Sequence, residues 1–118
     1  MSVTRDQIDA ICGTFPGARK ALPPELVSWK VGEKMFATFG DFGEDTGVSV
    51  KCPDVETATM LIDAGEAVKA PYFHRSWVRL PFETTQEDFA RHRLGVSYDT
   101  VRSGLKKSVR DSLPPRKT

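Results

Sequence analysis

The stretch from Val27 to Cys52, VSWKVGEKMFATFGDFGEDTGVSVKC, is the densest apolar block of the chain, and the rest must be built around it. It reads as three consecutive antiparallel strands. Gly32-Glu33 is the expected two-residue hairpin turn, pairing Val31 with Lys34 and Trp29 with Phe36. Side chains alternate along a strand. Val27, Trp29, Val31 and Phe36 are therefore expected on one face, with Met35, Ala37 and Phe39 on the other. Both faces would be apolar, so either helices cover both or a partner covers one. Gly40 to Gly47 is an acidic loop. The third strand, Val48 to Cys52, sets Val48, Val50 and Cys52 against Ser49 and Lys51.

Helices before and after supply the cover. Thr4-Arg5-Asp6-Gln7 is a capping box opening a helix that carries Ile8, Ile11, Cys12 and Phe15 on one side. Pro16-Gly17 marks a turn, and a loop from Ala18 to Leu26 leads into the sheet. Asp54 caps a second helix with Ala58, Leu61 and Ile62 inward and Gly65 as its stop. Val68 to Tyr72 and Trp77 to Phe82 read as two further strands. Thr84 to Glu87 is a second capping box, and the helix it opens is expected to bend or break at Gly95. A final helix sets Tyr98, Val101, Leu105 and Val109 on one face and ends at Leu113-Pro114-Pro115. The order α-β-β-β-α-β-β-α predicts an α+β two-layer sandwich, an antiparallel sheet backed by helices. The 118 residues suit one core. Residues 1–113 are read as a single domain and 114–118 as a flexible basic tail.

No apolar run approaches the ~20 residues of a membrane span, and the polar N-terminus opens a helix rather than a signal peptide. Cys12 and Cys52 form no CxxC pair and read as buried thiols in a reducing cytoplasm. A formal net charge of +1 conceals a segregation. From residue 91 onward, eight basic residues face only Asp99 and Asp111, a local +6 that leaves −5 for the first ninety residues. Arg102, Lys106, Lys107 and Arg110 project from the faces of the last helix that Tyr98 and Leu105 do not use. Such a helix can neutralise phosphates and release counterions; a solvated surface is the alternative. His74-Arg75, between Tyr72 and Trp77, is the second candidate, because arginine beside aromatics can stack on a base or grip a phosphate. There the alternative is aromatics packed in the core, with His74 and Arg75 capping a turn. No helix-turn-helix, zinc-finger or RNA-recognition signature is present. No nucleophile elbow, phosphate loop or dinucleotide fingerprint is present either. His74 and His92 lack ligand spacing for zinc, and His92 reads as solvated. The expectation is no catalysis, no cofactor and no metal.

Three segments carry a family resemblance. Trp29 to Phe39, WKVGEKMFATF, is similar to the F-K-V-G-G-K-M-F-A segment of the MmcQ/YjbR family of small bacterial proteins, and a strand ending in Lys51-Cys52-Pro53-Asp54 follows it. Pro71 to Trp77, PYFHRSW, resembles the P-Y-x-G-H-R-G-W stretch of one branch. Tyr98, Val101 and Leu105 match a closing helix that usually reads Y-x-x-V-x-x-K. Two departures stand out: Phe73 and Ser76 replace the glycines flanking His-Arg, and the proline common before the final lysines is absent. The resemblance implies a fold similar in outline to type III secretion chaperones and a family labelled DNA-binding. The expected protein is thus a small cytoplasmic, non-enzymatic binding protein. It would contact DNA through His74, Arg75, Trp77, Arg102, Lys106, Lys107 and Arg110. The alternative is a protein-interaction or chaperone-like module, homodimeric through the sheet or bound to another protein.

Overall fold

The computed structural model describes residues 2–40, 46–71 and 73–115. Residues 41–45 of the acidic loop, Tyr72 and residues 116–118 of the expected tail lie outside the described residues.

The first helix, α1 (Arg5–Cys12), starts as its capping box dictates. Thr4 Oγ1 accepts from the Gln7 amide and Gln7 Oε1 accepts from the Thr4 amide. The next element, β1 (Arg19–Ala21), corrects the sequence reading, which left this segment in a loop. Three residues give no readable alternation; the strand exists because it pairs along β2 (Val27–Val31). Then come β3 (Lys34–Gly40), β4 (Gly47–Lys51), α2 (Val55–Asp63), β5 (Val68–Lys69) and β6 (Trp77–Pro81). The sheet is antiparallel in the order β1-β2-β3-β4-β6-β5.

The hairpin turn is where it was expected. Gly32 and Glu33 both take left-handed φ values, 55° and 72°, as this turn class requires, and Val31 faces Lys34. The next pairing differs from expectation: Trp29 faces Ala37, not Phe36. Two register shifts leave Phe36 and Phe39 without partners on β2. Each is a bulge, and each extra residue resets the alternation of the strand. Ala37 and Phe39 therefore join Val27, Val31, Phe36, Val48, Val50, Val78 and Leu80 in one buried cluster. Phe36 meets Phe15 and Tyr98 edge-on, while Phe39 meets Phe82 and lies under the Arg5 guanidinium. The expectation of two apolar faces is thus overturned. The opposite face carries the cross-strand row Ala21, Ser28, Thr38, Ser49 and Arg79.

The third helix, α3 (Glu87–Ser103), runs unbroken through Gly95. Leu94, Ser97, Tyr98 and Val101 are buried along it, which outweighs the roughly 1 kcal/mol that one interior glycine costs. The break falls instead at Gly104, before α4 (Lys107–Ser112). The second capping box does not form, and Gln86 occupies the cap position without a side-chain capping hydrogen bond. The backbone there is already committed: the Thr84 and Thr85 amides donate to Pro81, and the Thr85 carbonyl accepts from Val3. A Cβ on Gly32 would lie 2.7 Å from Leu105, so the hairpin turn and the approach to α4 are closely packed. No helix among the described residues is long and apolar enough to cross a membrane.

Candidate nucleic-acid interface

Strand direction decides which candidates meet. Lys51 faces Trp77, and Ala37 faces Val50, so the C-terminal end of β4 and the start of β6 lie at the same end of the sheet as the Gly32-Glu33 turn. The chain segment before β6 enters there and is tied to β4 through Ser76. The Ser76 carbonyl accepts from the Cys52 amide at 2.7 Å, and its hydroxyl accepts from Lys51 Nζ at 2.9 Å. His74 Nδ1 accepts from the Ser76 amide at 3.1 Å and lies 2.9 Å from the Ser76 hydroxyl. With Nδ1 accepting, the Ser76 hydroxyl donates to it and the ring proton belongs on Nε2. Ser76 is itself buried, which makes it a brace between Lys51 and His74.

Trp77 is half-buried and packs on Phe73, ring centroids 5.1 Å apart and tilted by 30°. Lys51, Trp77 and Arg79 alternate with the buried Cys52, Val78 and Leu80, so they share the second face of the sheet, where they are partly exposed while Ser28, Thr38 and Ser49 are buried. Arg79 donates to Thr46 Oγ1 at 2.9 Å. Arg75 is exposed in the same turn as His74. Lys51, Arg75 and Arg79 make no ion pair among the described residues. Sequence reasoning singled out His74, Arg75 and Trp77 but missed Lys51 and Arg79. The signal was available: the clean alternation of β4 and β6 sets both on the polar face beside Trp77.

The basic helix residues divide. Arg102 is engaged, donating to the Tyr98 hydroxyl at 3.1 Å and to the Leu113 carbonyl at 3.2 Å, and so ties the end of α4 to α3. Lys107 pairs with Asp111 at 2.9 Å. Lys106 and Arg110 are exposed and make no ion pair among the described residues. Val109 of α4 lies against the Gly32 turn, at the same end of the sheet as His74. Two strand spacings, roughly 10 Å, separate β3 of that turn from β6.

One cation faces inward. Arg93 of α3 is buried; its Nη2 lies 3.7 Å from Cys52 Sγ, and its Nε has no hydrogen-bond partner. Burial pushes the Cys52 thiol up, and the adjacent guanidinium pulls it back only in part. A buried guanidinium without a carboxylate is unfavourable. Arg93→Met should therefore raise stability by about 1–3 kcal/mol in urea unfolding. An equal fall would show that the guanidinium holds α3 to β4.

The YjbR family model matches residues 13–100. Among solved structures, the chain is similar to the crystal structure of Deinococcus radiodurans protein DR2400, which has a DUF419 domain. The two are 22% identical, the match covers 90% of this chain and 84% of that one, and the TM-score is 0.75. None of the curated proteins matches.

Proposed function

The chain belongs to the YjbR family, and from that premise we propose that it is a small, non-enzymatic cytoplasmic protein that binds DNA. The observation carrying this reading is a set of exposed and partly exposed cations that make no ion pair among the described residues, most of them toward one end of an antiparallel sheet. Lys51 and Arg75 stand at the β4–β6 end, Lys106 and Arg110 follow Leu105 and Val109, which pack on the hairpin turn, and Arg79 lies farther along β6, reaching Thr46 at the start of β4. Cations without carboxylate partners are free to neutralise phosphates, whereas Lys107 must first leave Asp111 and Arg102 must leave Leu113. His74, braced by Ser76, presents Nε2–H as a further donor. Two free, buried thiols support the cytoplasmic assignment.

Titration of labelled mixed-sequence DNA by fluorescence anisotropy tests the reading. Affinity should fall linearly in log–log form with salt, by about 0.9 per duplex phosphate contacted. The Lys106→Ala/Arg110→Ala double variant should bind more weakly and lower that slope by about 2. Undetectable binding at low salt would sink the proposal. The alternative, a protein-interaction or chaperone-like module, drew on a second apolar sheet face. With Ala37 and Phe39 turned inward, that face carries Ser28, Thr38, Ser49, Lys51 and Arg79 and only Met35, Trp77 and Val68 as larger apolar groups, so less favours it.

A further inference from the structure

The partly exposed Lys51, Trp77 and Arg79 on the second face of the sheet narrow the ligand. Resting on the nucleic-acid reading, we propose that the bound form is single-stranded, its backbone running past Lys51 and Arg79 and a base stacked on Trp77. Three observations carry this. First, Trp77 shares one face with two cations that make no ion pair among the described residues: Lys51 is its cross-strand partner, and Arg79 follows two residues later on the same strand. Aromatic side chains alternating with cations are how proteins hold single strands, the ring taking a base and the cations its phosphates. Second, Phe73 already packs on Trp77 at 5.1 Å, so one side of the indole is backed and its orientation is fixed before a base arrives. Third, β4 and β6 are interior strands, with β3 beyond one and β5 beyond the other. A major groove admits a helix or a two-stranded ribbon, not the broad face of a six-stranded sheet. Trp77 can reach only bases that are already outside a duplex.

The experiment compares a twelve-nucleotide oligothymidylate with a hairpin duplex of the same charge at one salt concentration. An oligouridylate arm distinguishes DNA from RNA, and either sugar supports a single-stranded ligand. The oligothymidylate should bind at least about tenfold tighter than the duplex. Trp77→Ala should lose about tenfold toward the single strand, while Trp77→Phe keeps most of the binding. A second readout leaves Trp77 intact: in Trp29→Phe it is the sole tryptophan, and oligothymidylate should quench its emission. Equal affinity for the two forms, or binding without quenching in Trp29→Phe, overturns the single-strand inference while the DNA reading stands. Failure of every oligonucleotide to bind at low salt overturns the DNA reading and this inference with it.

Discussion

Phe36→Ala should destabilise the protein by about 3–5 kcal/mol, read as a lower urea midpoint at unchanged m. Phe36 has no exposed surface and closes a three-ring contact. Its ring lies 5.8 Å from Phe15 and 5.4 Å from Tyr98, and those two lie 4.9 Å apart. The contact joins the exit of α1, the bulge of β3 and the middle of α3, so truncation removes packing from three elements at once. Aromatic pairing adds about 0.5–1.5 kcal/mol per pair beyond burial. The hole cannot close by a slip of β3, because the strand is pinned at Met35 to Lys30 and at Ala37 to Trp29 on either side of the bulge. Against a total stability of about 5–15 kcal/mol, a loss of that size leaves little reserve. Met35, on the other face of the same strand and partly exposed, is the internal control. A loss at Phe36 no larger than at Met35 would mean that the bulge does not direct Phe36 into the core.

The contrast between these neighbours shows where the sequence is readable. Turn chemistry and caps are local, so Gly32-Glu33, Thr4 with Gln7, and Asp54 all behave as their residue types require. Hydrogen bonds from the Thr57 side chain and then its amide hold the Asp54 carboxyl below the ordinary value. The two bulges are not local. Phe36 and Phe39 are three residues apart, and strict alternation must put one of them outside. Only the demand of α1 and α3 for a filled core selects the bulged register that buries both. The same holds at Gly95, where helix propensity favours a break and contact with the sheet prevents it. The site divides likewise. His74, Arg75 and Trp77 are legible as a mixed-chemistry cluster, but Lys51 joins them from another strand, through a hydroxyl 25 residues away. Arg102 has the residue type of a phosphate ligand, yet in the fold it holds Leu113, a role that no spacing in the last helix reveals.

Ser97→Ala should lower stability by about 2–4 kcal/mol although it removes a single oxygen. The Ser97 hydroxyl accepts from the Lys51 amide at 2.9 Å and donates to the Phe36 carbonyl. The β3–β4 ladder ends just before this point: Thr38 faces Ser49 and Ala37 faces Val50, and then the Phe36 bulge interrupts pairing. The hydroxyl from α3 takes the place of the next rung. Alanine would leave one amide and one carbonyl unpaired in the interior, at about 1–3 kcal/mol each, and a vacated hydroxyl site is too small for a water to bridge them. Ser97→Cys keeps the shape but offers a weak donor and acceptor, so it should fall between the two. Hydrogen exchange at the Lys51 amide is the direct readout, and protection there should be lost in Ser97→Ala before global unfolding. Unchanged protection would mean that the strand ends are held by other contacts. Because Lys51 is the residue braced by Ser76 and paired with Trp77, the substitution also loosens one side of the proposed binding face from beneath. Its effect on DNA affinity should then appear even where the folded population remains complete.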